Sequence, residues 1–303
     1  MLKPSDRTIL IFMENALTID LEEFFQVHAL SRVISASSWD SFEPAIVSNT
    51  EKILRLLERA HITATFFCLG WIAERNKELI RSIHAQGHEI ACHGYMHQRI
   101  SAQGKVPFRQ DVSKAKKILE DCIGDRVVGY RAPTYSITEE TLWALDILEE
   151  LGFLYDSSIF PIHHDNYGIP NAPRFPHRLK GRALVEFPIS TLRIGSVNLP
   201  VSGGGYFRIL PYFVTRLALR SFEGEKRPFV FYVHPWELNK DTPRISNITF
   251  LSRFRTYTGI SRSFAKFGRL IEDFKFTTLR NVLVRSGLLG PDAADGRPSD
   301  ATA

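Results

Sequence analysis

ITATFFCLGWIAERNKELIRSIHAQGHEIACH, residues 62–93, carries the pattern that decides the fold. ITATFFCL (62–69) is dense in β-branched and aromatic residues, the composition of a buried strand. IAERNKELIRSIHAQ (72–86) then reads as a helix, and Gly87 stands where a helix can end in a left-handed turn. HEIACH (88–93) returns to strand character and stops at a histidine. Strands alternating with helices in this way build an α/β fold around a largely parallel sheet.

The pattern extends in both directions. Upstream, ALTID (16–20) reads as a strand, and 44–60 as a helix with Ile46, Ile53, Leu56, Leu57 and Ala60 on one face. Downstream, a helix around 107–122 leads to strand RVVGYR (126–131). Thr138 opens the next helix by capping free N–H groups, with Glu139 and Glu140 at its positive end, and the helix stops near Gly152. ALVEFPIS (183–190), a helix over about 211–222 and the β-favouring run PFVFYVH (228–234) follow. Residues 252–285 read as a loop, a helix and a last strand. Neither an internal repeat nor a linker divides the chain. Residues 1–287 are therefore expected to form one domain, and 288–303, rich in Gly, Pro, Asp and Ala, a disordered tail.

A chain of 303 residues with 44% apolar composition can fill a sizeable core. Three cysteines, Cys68, Cys92 and Cys122, form no CxxC pair, and their odd number fits no disulfide framework, so a reducing compartment is expected. The apolar run near the start is too short for a signal-peptide core, and no later segment approaches the ~20 apolar residues of a membrane span. These readings point to the cytoplasm. Charge is uneven: residues 201–303 hold 16 Lys or Arg against 9 Asp or Glu, although the whole chain is only +5. Such an imbalance marks a phosphate-bearing carrier, an anionic membrane surface, or simply a solvated face. No basic run with interleaved aromatics appears, so nucleic acid is not an expected partner.

Asp20, His93, Arg131 and His234 each close an expected strand at its C-terminal end, the edge where barrels and open α/β sheets gather catalytic groups. His93 and His97, in HGYMH, are spaced to ligate one metal ion. TIDLEE supplies three acids. Side chains two apart on an extended segment share a side, so Asp20 and Glu22 can face one centre while Glu23 points away, unless the chain turns straight after Asp20. A solvated acidic loop would read the same. Arg131 precedes a proline-fixed turn, where a guanidinium can grip a carboxylate with two N–H groups or make an ordinary buried ion pair. His234 emerges where Pro235 turns the chain. Glycines 203–205 either let the backbone approach a ligand or form a loop.

The segments NALTIDLEEFFQV, TATFFCLGWIAER, GHEIACHGYMHQRI, GYRAPTYSIT, LYDSSIFPIHHDNYGIP, GGGYFRILP, FYVHPWEL, RFRTYTGISR and FKFTTLRNVL span residues 15–284. In this order the chain resembles the polysaccharide deacetylase family with the NodB homology fold. More closely it is similar to the subfamily of exosortase-A-associated exopolysaccharide loci. The resemblance implies a distorted (β/α) barrel of about seven strands, with a subfamily-specific segment over about 235–287. It implies a divalent metal, expected to be zinc, and an N-acetylated polysaccharide or oligosaccharide substrate. By position, Asp20 would be the base, His93 and His97 metal ligands, Arg131 the group that positions the base, and His234 the general acid. A leucine separates Asp20 from Glu22, as in a branch of the family, which makes Glu22 the expected third ligand and Glu23 the alternative. The aromatic residue that often follows the RxP step is replaced by Thr134, with Tyr135 next. Asp156 is expected to orient His234, Trp236 to orient or bind, and His163 and His164 to lie on a substrate-facing loop. Two other functions stay open: hydrolysis of a small amide or cyclic imide, and carbohydrate binding without catalysis.

Overall fold

The computed structural model describes residues 14–165 and 167–291. Among these, the strands are β1 (Asn15–Leu21), β2 (Thr65–Cys68), β3 (Glu89–Cys92), β4 (Gly129–Tyr130), β5 (Tyr155–Asp156), β6 (His177–Arg178), β7 (Val185–Glu186), β8 (Thr191–Ile194), β9 (Val197–Pro200), β10 (Val230–Val233) and β11 (Phe276–Thr277). The helices are α1 (Ile46–Ala60), α2 (Gly70–Arg75), α3 (Lys77–Ala85), α4 (Lys105–Ile123), α5 (Trp143–Glu150), α6 (Gly204–Ile209), α7 (Tyr212–Gly224), α8 (Phe250–Tyr257), α9 (Ile260–Asp273) and α10 (Leu279–Arg285).

Seven strands run parallel in the order β10-β1-β2-β3-β4-β5-β7, with β6 antiparallel at one edge and β11 added to β1. The sheet curls into a half-barrel. Between β7 and β10 no ladder forms, but Ser190 Oγ accepts from Val230 N at 2.9 Å and Gly203 bridges Tyr232, which draws the two edges together. Every residue of β1 is buried, as expected for a central parallel strand covered on both faces. Its polar members face inward: Thr18 Oγ1 donates to Phe231 O across the strand pair. Asp20 therefore stands near the end of a strand that is buried along its whole length.

Several elements differ from the sequence reading. The helix expected over 72–86 is two, because Asn76 leaves the helical conformation (φ −132°, ψ 51°) while its side-chain amide donates back to Ile72 O. RVVGYR keeps only Gly129–Tyr130 as strand and ALVEFPIS only Val185–Glu186, since curling breaks the ladder after one or two pairs. The loop expected after 252 is the helix α8, and β11 is followed by α10. Glycines 203 and 204 serve packing: a Cβ at Gly203 would meet Tyr232 O at 2.1 Å. Leu289 packs into the core instead of fraying, whereas residues 292–303 of the expected tail lie outside the described residues. All three cysteines are free and buried. No helix among the described residues is long and apolar enough to cross a membrane.

Candidate active site

The C-terminal ends of β1, β3, β4 and β10 bring Asp20, Glu22, His93, Arg131 and His234 to one edge, and the turn after β3 adds His97. Among the described residues, Glu22, His93 and His97 are the set whose ligand atoms all lie within 4.8 Å of one another. The His93 Nδ1–H donates to Arg131 O at 2.8 Å, which leaves Nε2 with its lone pair toward the cluster. Burial, with His97 alongside, holds the His93 pKa well below the ordinary histidine value, so the ring stays neutral, the form a metal ligand takes. His97 reaches the cluster from a left-handed backbone (φ 52°). Its Nε2 lies 2.7 Å from Glu22 Oε2 without the alignment of a hydrogen bond, and Glu22 Oε2 is buried with no hydrogen-bond partner. A buried imidazole and a buried carboxylate oxygen without a hydrogen-bond partner, converging with His93 on one point, are what a cation would satisfy. Burial alone would favour the neutral acid, but His97, His234 and His93 together bring the Glu22 pKa below the usual carboxylate value. Glu22 Oε1 accepts from Trp236 Nε1 at 3.2 Å.

Glu23 turns the other way. It accepts from Ala45 N at 2.6 Å and Ile46 N at 2.7 Å, closing the start of α1. Burial nevertheless raises its pKa to about 7.

Asp20 Oδ1 accepts from Arg131 Nη1 at 2.7 Å, and Tyr135 OH approaches Oδ2 at 3.5 Å. The guanidinium is fully buried and grips Asp20 with a single nitrogen, not the fork the sequence allowed. Three further N–H groups go to Thr18 Oγ1 and to Ser157 O and Oγ. His234 Nε2 stands 3.8 Å from Asp20 Oδ2 and 3.6 Å from Glu22 Oε1. Its Nδ1–H donates to Glu237 Oε2 at 2.7 Å, and Glu237 Oε1 accepts from Arg208 Nε at 2.7 Å. Burial opposes charge on His234, yet Glu237, then Glu22 and Asp20, raise its pKa to about 9. Against the same burial, His234 and Arg208 hold Glu237 down to about 2. With 17% of its side chain exposed, His234 remains within reach of a substrate.

Asp156 is bound elsewhere: it accepts from Ser158 Oγ at 2.5 Å and from Ser158 N, and Ser158 Oγ in turn accepts from Ala132 N. The acid on His234 is Glu237, which the sequence reading missed. Its signal was the HPWE spacing, because a proline-opened turn brings residues three apart together. Arg208, far away in sequence, gave no signal. Thr134 and Tyr135 are both left-handed (φ 57° and 51°), a strained pair that aims the Tyr135 ring into the site. Tyr135 packs on Tyr232 and Tyr167, and His164 stacks on Tyr167 with ring centroids 3.8 Å apart. His163 is exposed on the same loop.

Residues 35–155 match the model of a family described as polysaccharide deacetylase. This region is a polysaccharide deacetylase domain. Residues 157–284 match a domain of unknown function (DUF3473), which contains His234, Glu237 and Arg208. A peptidoglycan deacetylase of Helicobacter pylori is 30% identical over 114 residues, covering 38% of this chain and 37% of that protein. A chitooligosaccharide deacetylase of Sinorhizobium fredii is 31% identical over 99 residues, 33% of this chain and 44% of that one. The chain thus spans less than half the length of either relative. A solved structure assigned as a polysaccharide deacetylase from Mycobacterium smegmatis superposes with a TM-score of 0.57 at 19% identity and covers all of both chains, a likeness of fold. The curled parallel sheet is thus shared with that structure over the whole chain.

Proposed function

We propose that the chain hydrolyses N-acetyl groups on an amino-sugar polymer or its oligosaccharide precursor, releasing acetate and a free amine. The observation that carries this reading is the placing of an ionisable acid and a cationic histidine, Asp20 and His234, 3.8 Å apart beside a three-residue cluster of candidate metal ligands. Glu22, His93 and His97 would hold a divalent cation, and zinc suits two imidazoles with one carboxylate. Bound there, the ion supplies Lewis acidity toward the acetyl carbonyl and the attacking water. Asp20 takes the water proton, with Arg131 fixing its orientation. The C–N bond breaks as His234 Nε2 passes its proton to the departing nitrogen. Glu237 keeps that imidazole charged and aimed between turnovers. Relatives named for peptidoglycan and chitooligosaccharide support an N-acetylated amino sugar as substrate, and the aromatic tier of Tyr135, Tyr167 and His164 offers stacking faces for its rings. An exopolysaccharide is the polymer we favour, because the match over 157–284 fits the subfamily named above.

Acetylated oligosaccharides, small amides and cyclic imides assayed for acetate and free amine test the reading. Acetate release from an oligosaccharide is expected, falling by ~10²-fold or more in His234→Ala, the usual contribution of general acid catalysis. Turnover confined to a cyclic imide would overturn the substrate class, and near-normal turnover in His234→Ala the role of that residue.

A further inference from the structure

Helix α8 wears its apolar side chains outward. Phe250 is 84% exposed, Leu251 53% and Phe254 43%. The helix packs on the turn at His28–Leu30 and buries Thr256 and Tyr257. Just beyond that turn Val33 is exposed as well. A surface helix ordinarily buries its apolar stripe, and protruding phenylalanines in a cluster mark a surface meant to be covered.

Charge identifies the cover. From Thr242 to Ile271 the chain carries six Lys or Arg and no acid. Arg244, Arg253, Arg255, Arg262 and Arg269 among them are exposed. A second copy of this face would bring those cations together, so a symmetric dimer is opposed electrostatically. An anionic bilayer satisfies both features, with phosphates for the arginines and the acyl boundary for the phenylalanines. The patch also adjoins the site: Arg208 Nη2 donates to Arg255 O at 2.6 Å while its Nε donates to Glu237, the partner of His234.

We propose that α8 and its arginine-rich flank dock on an anionic phospholipid surface, seating the mouth of the site at the membrane. This does not rest on the deacetylase reading, because the test reads binding and not turnover. The full chain is sedimented with phosphatidylcholine vesicles and with vesicles containing phosphatidylglycerol, at low and high salt. Binding to the anionic vesicles is expected, weakening with salt as exposed charge is screened over ~8 Å. Phe250→Ser with Phe254→Ser should lower the partition by about tenfold or more while leaving the melting curve unchanged. Absence of binding to either vesicle, or equal binding by the double variant, would overturn the proposal. So would light scattering that finds a dimer in the parent chain and a monomer in the variant.

Discussion

Glu237→Gln keeps the shape of the side chain but removes the charge that His234 and Arg208 share. Turnover should fall by ~10²-fold, and by much less on an activated amide whose leaving amine needs no proton. Comparing kcat on the two substrates separates this from general damage. The acids of TIDLEE should part cleanly under metal analysis. Glu22→Gln loses the cation, because an amide is a weaker, uncharged ligand. Asp20→Asn keeps it and loses turnover, while Glu23→Gln keeps it and loosens the start of α1. His88, remote from the site, gives a pH signature. Burial against Phe66 lowers its pKa from 6.5 to about 4, and its Nδ1 accepts from Ala64 N. Above pH 6.5 the ring is neutral in both states and contributes nothing to the slope. As pH falls toward 4 the unfolded chain gains a proton that the folded one refuses, so stability drops by about 3 kcal/mol. Urea midpoints at pH 7 and pH 4 should show that loss, reduced in His88→Asn. At this scale the sequence was legible wherever a strand's alternation governs direction, as for Asp20 and Glu22. It was silent on Arg208, which meets Glu237 only because α6 folds over β10.

Among elements, β1, β2, β3 and β10 were readable, because fully buried strands need unbroken runs of apolar, β-favouring residues. The two-residue strands β4, β7 and β11 were readable in place but not in length, and β5 and β6 not at all, since so short a ladder is set by the curl of its neighbours and leaves little local pattern. The β8–β9 hairpin escaped for another reason: its exposed Ile194, Val197 and Leu199 blur the alternation of a half-buried strand. Gly203 is the element-level position most sensitive to change. At φ 145° and with Tyr232 O at 2.1 Å from any Cβ, Gly203→Ala must push α6 away from β10. A loss of ~1–3 kcal/mol or more is expected in thermal melts. Gly224→Ala, with nothing within 4 Å, should be neutral or stabilise α7 by up to about 1 kcal/mol.

For the whole molecule, the two family matches divide a single sheet. Residues 35–155 and 157–284 each hold part of the site, and β1, which pairs with β2 on one side and β10 on the other, joins them. A fragment of residues 14–156 would expose the full edge of β1 and lose the Phe229, Phe231 and Phe276 packing beside it. It is expected to aggregate or show no cooperative melt, although it contains His93 and His97. The same arrangement governs time. Thr18 bonds to a carbonyl 213 residues further along the chain. At a synthesis rate of ~5–20 residues per second, β1 waits on the order of ten seconds or more for β10 to be made. Helices and the β2–β3 pair can form during that interval, but contacts of such long range come late and slowly. Asp20 and His234 face each other only when the β1–β10 pairing closes, so the cluster at this edge stays incomplete in every shorter nascent chain.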